Sequence, residues 1–100
     1  MLSEFISKQE RESARLRRAR SIVLKAFNEL HDRGIVKAGY VPMVFRSRCK
    51  GCGYMFVIDG EDVSNILDER LFESYMAQKG FIDISKRFKY RWAYSLNGFV

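Results

Sequence analysis

An amphipathic run from Ser7 to Arg33 constrains this chain more than any other feature. Leu16, Ala19, Val23, Ala26, Phe27 and Leu30 recur at three- and four-residue steps, which gathers them into one stripe of a helix. Ser7 and Glu10 have the spacing of a capping box at its start. Gly34 supplies the left-handed stop that helices favour. A helix this long with one apolar stripe must lay that stripe on something, and the remaining residues have to supply the partner surface.

Those residues read as a sheet and a second helix. Tyr40–Arg48 and Tyr54–Asp59 are rich in β-branched and aromatic residues and flank the turn sequence Cys49-Lys50-Gly51-Cys52-Gly53, the pattern of a β-hairpin. Pro42 has no N–H to donate and belongs at the start or edge of its strand. A helix is expected over Asp62–Lys79, with Glu61 and Asp62 at its positive end and Gly80 as its stop. From Arg87 to Leu96 the side chains alternate: Phe88, Tyr90, Trp92, Tyr94 and Leu96 on one face, Arg87, Lys89, Arg91, Ala93 and Ser95 on the other. Phe81–Ile84 reads as a short strand before it. The expected fold is α+β: a long N-terminal helix, a β-hairpin, a second helix and C-terminal strands, with a small antiparallel sheet packed against the helices. Its 100 residues suit a single domain spanning 1–100.

Composition narrows the class of protein. Hydrophobic residues make up 47% of the chain and charged ones 30%, a folded rather than disordered balance. No run approaches the roughly 20 apolar residues needed to span a bilayer. Adhesion to an anionic membrane surface is disfavoured because the core needs the apolar stripe of the first helix, so no membrane partner is expected. The N-terminus lacks the basic-then-apolar order of a secretory signal, and the two closely spaced cysteines cannot staple a framework. An intracellular, cytoplasmic location is therefore expected.

The formal charge is +6 and is unevenly spread. Residues 1–39 hold nine Lys/Arg against five Asp/Glu, whereas residues 61–80 hold two against five. On the first helix Arg11, Arg15, Arg18 and Lys25 fall within about one quarter of the circumference at roughly 100° per residue. Arg46, Arg48 and Lys50 alternate along the first strand and into its turn, and Arg87, Lys89 and Arg91 alternate along the last. If both strands share a sheet whose other face is covered by helices, six cations line the wet side. Phosphate backbones suit such surfaces, because each neutralised phosphate releases counterions. The plainer reading of each stripe is a solvated surface with local ion pairs of small value. The aromatic face of the last strand would serve as a base-stacking platform if exposed, but a domain this small needs those rings in its core.

Cys49-Lys50-Gly51-Cys52-Gly53 resembles one knuckle of a zinc ribbon, whose glycines let backbone amides approach the thiolates. A closed tetrahedral site needs four donors, and His31, the single histidine, raises the count only to three. A metal-linked homodimer pooling two knuckles would complete it, as would an Asp or a water in a monomer; without metal the motif is a tight turn with two free thiols. A redox C-x-x-C normally stands at a helix start after a strand, which the hairpin reading lacks. There is no nucleophile elbow, phosphate-binding glycine loop or recognised metal-carboxylate pair. Catalysis is thus not expected. Two roles remain: an accessory or regulatory protein binding the phosphates of DNA or RNA, or an interaction module, such as a small inhibitor, docking on an acidic surface of a partner enzyme.

Overall fold

The computed structural model describes the backbone of residues 2–99 and the side chains of residues 11–99. Helix α1 (Leu2–Asp32) leads through a turn to strand β1 (Val44–Arg46) and strand β2 (Tyr54–Ile58). A 3-10 segment (Gly60–Asn65) precedes helix α2 (Glu69–Lys79), strand β3 (Ile82–Asp83), the one-turn helix α3 (Ser85–Phe88) and strand β4 (Trp92–Ser95). A 3-10 turn (Asn97–Phe99) follows. The four strands form an antiparallel sheet in the order β1-β2-β4-β3, so the α+β expectation holds.

Thirty-one residues at 1.5 Å per residue make α1 about 46 Å long, close to the longest extent of the molecule, 50 Å. Its apolar stripe behaves as the periodicity predicts. Ala19, Val23, Ala26, Phe27 and Leu30 are buried and Leu16 is half-buried. Phe27 packs edge-on against Tyr40, Phe56 and Phe72, which come from the segment before β1, from β2 and from α2. Helix α1 begins at Leu2, so Ser7 does not open it; the side chains of Ser7 and Glu10 lie outside the described residues. At the other end Gly34 adopts φ 74°. Its N–H bonds the His31 carbonyl while Ile35 N–H reaches back to Leu30, closing the helix.

Helix α2 starts seven residues later than its pattern predicts. Ile66 bridges Val36 and Leu67 N–H donates to the Ile35 carbonyl at 2.8 Å, so this backbone is committed to a distant segment. Asp68 then caps the helix by accepting the Leu71 N–H at 3.0 Å. Gly80 ends it in the left-handed region, as expected.

The last strand is shorter than its alternation suggests. Residues 85–88 form a helical turn, opened by Ser85 N–H donating to Asp83 Oδ1 at 2.9 Å and closed by Lys89 at φ 58°. Trp92 and Tyr94 are core residues against Phe72. Phe88 packs on the opposite side of the sheet, and Tyr90 is exposed.

Both sheet faces are covered. Helices α1 and α2 lie on the face carrying Val44, Phe56, Ile58, Trp92 and Tyr94. Cys52, Ile84 and Phe88 pack over Met55 and Ala93 on the other. The expected wet face of six strand cations is therefore not present. Met55, Ala93 and Ser95 are buried there, because the 49–53 turn and α3 fold across them.

Gly98 is needed for a close approach of backbone to backbone. A Cβ on Gly98 would sit well inside contact distance of the Gly80 carbonyl oxygen, which is backbone and cannot swing away. Gly98→Ala is expected to destabilise the protein by about 1–3 kcal/mol, read as a lower urea midpoint with an unchanged slope. The Tyr40 hydroxyl has the opposite character, being buried without a hydrogen-bond partner among the described residues. Burial, and secondarily Asp62, pushes its pKa up to about 12. Tyr40→Phe removes an unpaired polar group and is expected to be neutral or stabilising. Below pH 10 both states keep the phenol protonated. Between pH 10 and about 12 the unfolded chain ionises first, so the wild type loses stability there more steeply than Tyr40→Phe. Paired denaturation curves at pH 8 and about pH 11 read both effects.

Candidate nucleic-acid interface

The strand register fixes which charges share an end of the molecule. Tyr54 opens β2, and its hydroxyl donates to the Glu12 backbone carbonyl at 3.3 Å. Arg46 Nη1 donates to Glu12 Oε1 at 2.7 Å. The 47–53 turn therefore lies at the end occupied by the N-terminal half of α1. Ile58 pairs with Trp92 at the opposite end, where Asp59, Glu61, Asp62, Asp68 and Glu69 follow in sequence or in the fold. The molecule has a basic end and an acidic end.

The ten cations singled out by pattern are not equivalent. Arg91 is held at the acidic end, 2.6 Å from Glu69 and 3.8 Å from Glu73, with its guanidinium 4.4 Å above the Trp92 ring. Arg46 is taken by Glu12. Arg87 is on α3, not on a strand, and Nη1 donates to Cys52 Sγ at 3.2 Å. Lys89 ends α3 in a left-handed conformation. Arg48 and Lys50 are exposed in the turn. Arg11, Arg15, Arg18 and Lys25 are exposed on α1 and make no ion pair with any described residue. They span about 21 Å of helix.

Two adjoining clefts beside this stripe were not read from the sequence. Arg15 and Arg18 edge one, floored by Ala19, Ile22, Leu96 and Phe99 and walled by Tyr54. Lys25, Lys79 and Glu29 edge the next, which shares Ile22 and Phe99 and adds Phe81 and Tyr75. Phe99 is fixed by Phe81, the ring centroids being 4.6 Å apart. Ile22 supplied a signal: it falls in the middle of the basic stripe, where a purely solvated face would be polar. Phe99 could not be placed there, because its contacts depend on the chain returning from β4.

Glu29 anchors the acidic edge of this groove. The Tyr75 hydroxyl donates to Glu29 Oε2 at 2.8 Å, Arg33 lies 2.6 Å from Oε1 and Lys79 lies 3.5 Å from Oε2. The Tyr75 hydrogen bond, more than either cation, holds the Glu29 carboxyl below its ordinary pKa.

The knuckle gathers no complete metal site. Cys49 and Cys52 share one turn, but His31 lies near the far end of α1, about 28 Å along the axis from Glu12. Among the described residues no three His, Cys, Asp or Glu side chains come together. The Cys49 thiol is pushed up chiefly by its hydrogen bond to Cys52, with burial adding and Arg87 opposing. Among the described residues no helix is long and apolar enough to cross a membrane. In comparisons with known proteins, no family model, curated protein or solved structure matches the chain.

Proposed function

We propose that the protein binds nucleic acid through the exposed basic face of α1, with a preference for unpaired strands. The carrying observation is the pairing of Arg15, Arg18 and Lys25 with an apolar cleft floored by Ile22, Leu96 and Phe99. Phosphates of a strand following α1 would meet the cations, while a splayed base would enter the cleft beside Tyr54 and Phe99. Duplex bases are stacked away from such a cleft, whereas single strands offer their faces to aromatic side chains. Arg11 extends the cationic track, and Arg48 and Lys50 lie at the same end of the molecule.

Binding to single-stranded and duplex DNA and RNA across a salt series tests this. Affinity is expected to fall with salt at a log–log slope of about −3 for single strands, as for four phosphate contacts. Single strands should bind more tightly than duplex at every salt concentration. No binding at about 50 mM salt, where phosphate contacts are strong, would sink the proposal.

The same cleft favours a second reading, in which an acidic amphipathic peptide of a partner protein lays apolar side chains on Ile22 and Phe99 and its carboxylates against Arg15, Arg18 and Lys25. Retention of a protein partner after nuclease treatment, with no affinity for nucleic acid, would favour it.

A further inference from the structure

We infer that Cys49 and Cys52 form a reversible dithiol–disulfide pair that exchanges with anionic low-molecular-weight disulfides. The turn is built for closure. Cys52 N–H donates to the Cys49 carbonyl at 3.2 Å, and Gly51, the third residue, has φ 82°. This is a type II turn, whose ends lie within 7 Å, the Cα separation a disulfide spans.

Access divides the work between the two. Cys52 is fully buried, while Cys49 is half-buried, so an incoming disulfide meets Cys49. Arg48 and Lys50 flank that thiol in sequence and favour a reagent carrying carboxylates. The Cys49 thiolate attacks one sulfur of the reagent RSSR, forming a mixed disulfide and expelling one thiolate. Cys52, whose sulfur accepts a hydrogen bond from Arg87 Nη1 at 3.2 Å, then attacks the Cys49 sulfur and expels the second. Two protein thiols and RSSR become one protein disulfide and two RSH, with two electrons passing to the reagent.

The remaining contacts hold the turn while this happens. Ser95 Oγ donates to the Cys52 carbonyl at 2.6 Å, and Asn97 Nδ2 donates to the Gly51 carbonyl at 2.6 Å. Neither bond uses a sulfur, so closing the disulfide leaves them in place.

The test equilibrates the purified protein with glutathione at set ratios of oxidised to reduced form, then quenches with an alkylating reagent and reads intact mass. In excess oxidised glutathione the expected product is a monomer about 2 Da lighter with no alkylatable thiol, restored by excess reduced glutathione. Early quenching should trap glutathione on Cys49 alone, and Cys52→Ser should hold that adduct at equilibrium. The inference is overturned if the wild type keeps two alkylatable thiols, ends as a lasting mixed disulfide, or forms cross-linked dimers. The wild-type outcome decides this even if Cys52→Ser fails to fold.

Discussion

Replacing Arg15, Arg18 and Lys25 together by glutamate is expected to abolish nucleic-acid binding while leaving the fold intact. Each phosphate contact on a duplex contributes about 0.9 to the log–log salt slope, so three contacts are worth roughly 500-fold in affinity at 0.1 M salt. Single strands, with about 0.7 per contact, should lose roughly 100-fold, and the three introduced repulsions deepen either loss. The fold should tolerate the change: all three side chains are exposed, and glutamate is as good a helix former as arginine or lysine. Fluorescence anisotropy with a labelled oligonucleotide reads the affinity, and circular dichroism confirms the helix. Reversing two charges at the acidic end, Arg70→Glu with Lys37→Glu, should alter affinity far less for each charge reversed. If the loss per reversed charge is the same in both variants, net charge rather than the α1 face is responsible.

The second large effect concerns the core. Phe27 is 1% exposed, and its ring meets rings from three other parts of the chain. It is therefore the side chain through which α1 grips both the sheet and α2. Phe27→Ala removes that contact and leaves a cavity among aromatic rings that cannot easily collapse, at a cost of about 3–5 kcal/mol. Against a total stability of about 5–15 kcal/mol, this brings the protein near its unfolding threshold. The expected drop in Tm is about 12–40 °C, taking 4–8 °C per kcal/mol for a domain of this size. Leu24 on the same helix is exposed, and Leu24→Ala should stay within about 0.5 kcal/mol of wild type. Similar losses at both positions would mean that α1 does not dock through the Phe27 stripe.

Local physics made the first helix legible. Its stripe follows from a 3.6-residue period, and Gly34 stops it through a backbone conformation written in one residue. The hairpin was legible for a similar reason, since its glycine-rich turn lies between two β-rich runs. Of the elements that shifted, α2 was governed by a distant partner and α3 by a local cap that the strand alternation hides. Val63, Ile66 and Leu67 keep helical spacing, yet Val36 and Ile35 claim the backbone at 66–67, so α2 waits for Asp68. Phe88 and Tyr90 keep the strand alternation, yet Asp83 and Ser85 turn the chain into α3 first. The cation stripe on α1 was readable because it is local to one helix. The strand cations were not, because their fate depended on Glu12, Glu69, Glu73 and Cys52 lying opposite them. The groove beside Ile22 was out of reach for the same reason, as Phe99 arrives from the other end of the sequence.

The central claim is that nucleic acid lies along the α1 face at the basic end. Mapping amide chemical shifts of the isotope-labelled protein during titration with a single-stranded oligonucleotide of roughly 12 nucleotides addresses it directly. Shifts are expected at residues 11–25, at Tyr54 and at Phe99, with little change over residues 59–73. Absence of shifts at saturating oligonucleotide, or shifts centred on residues 59–73, would contradict it.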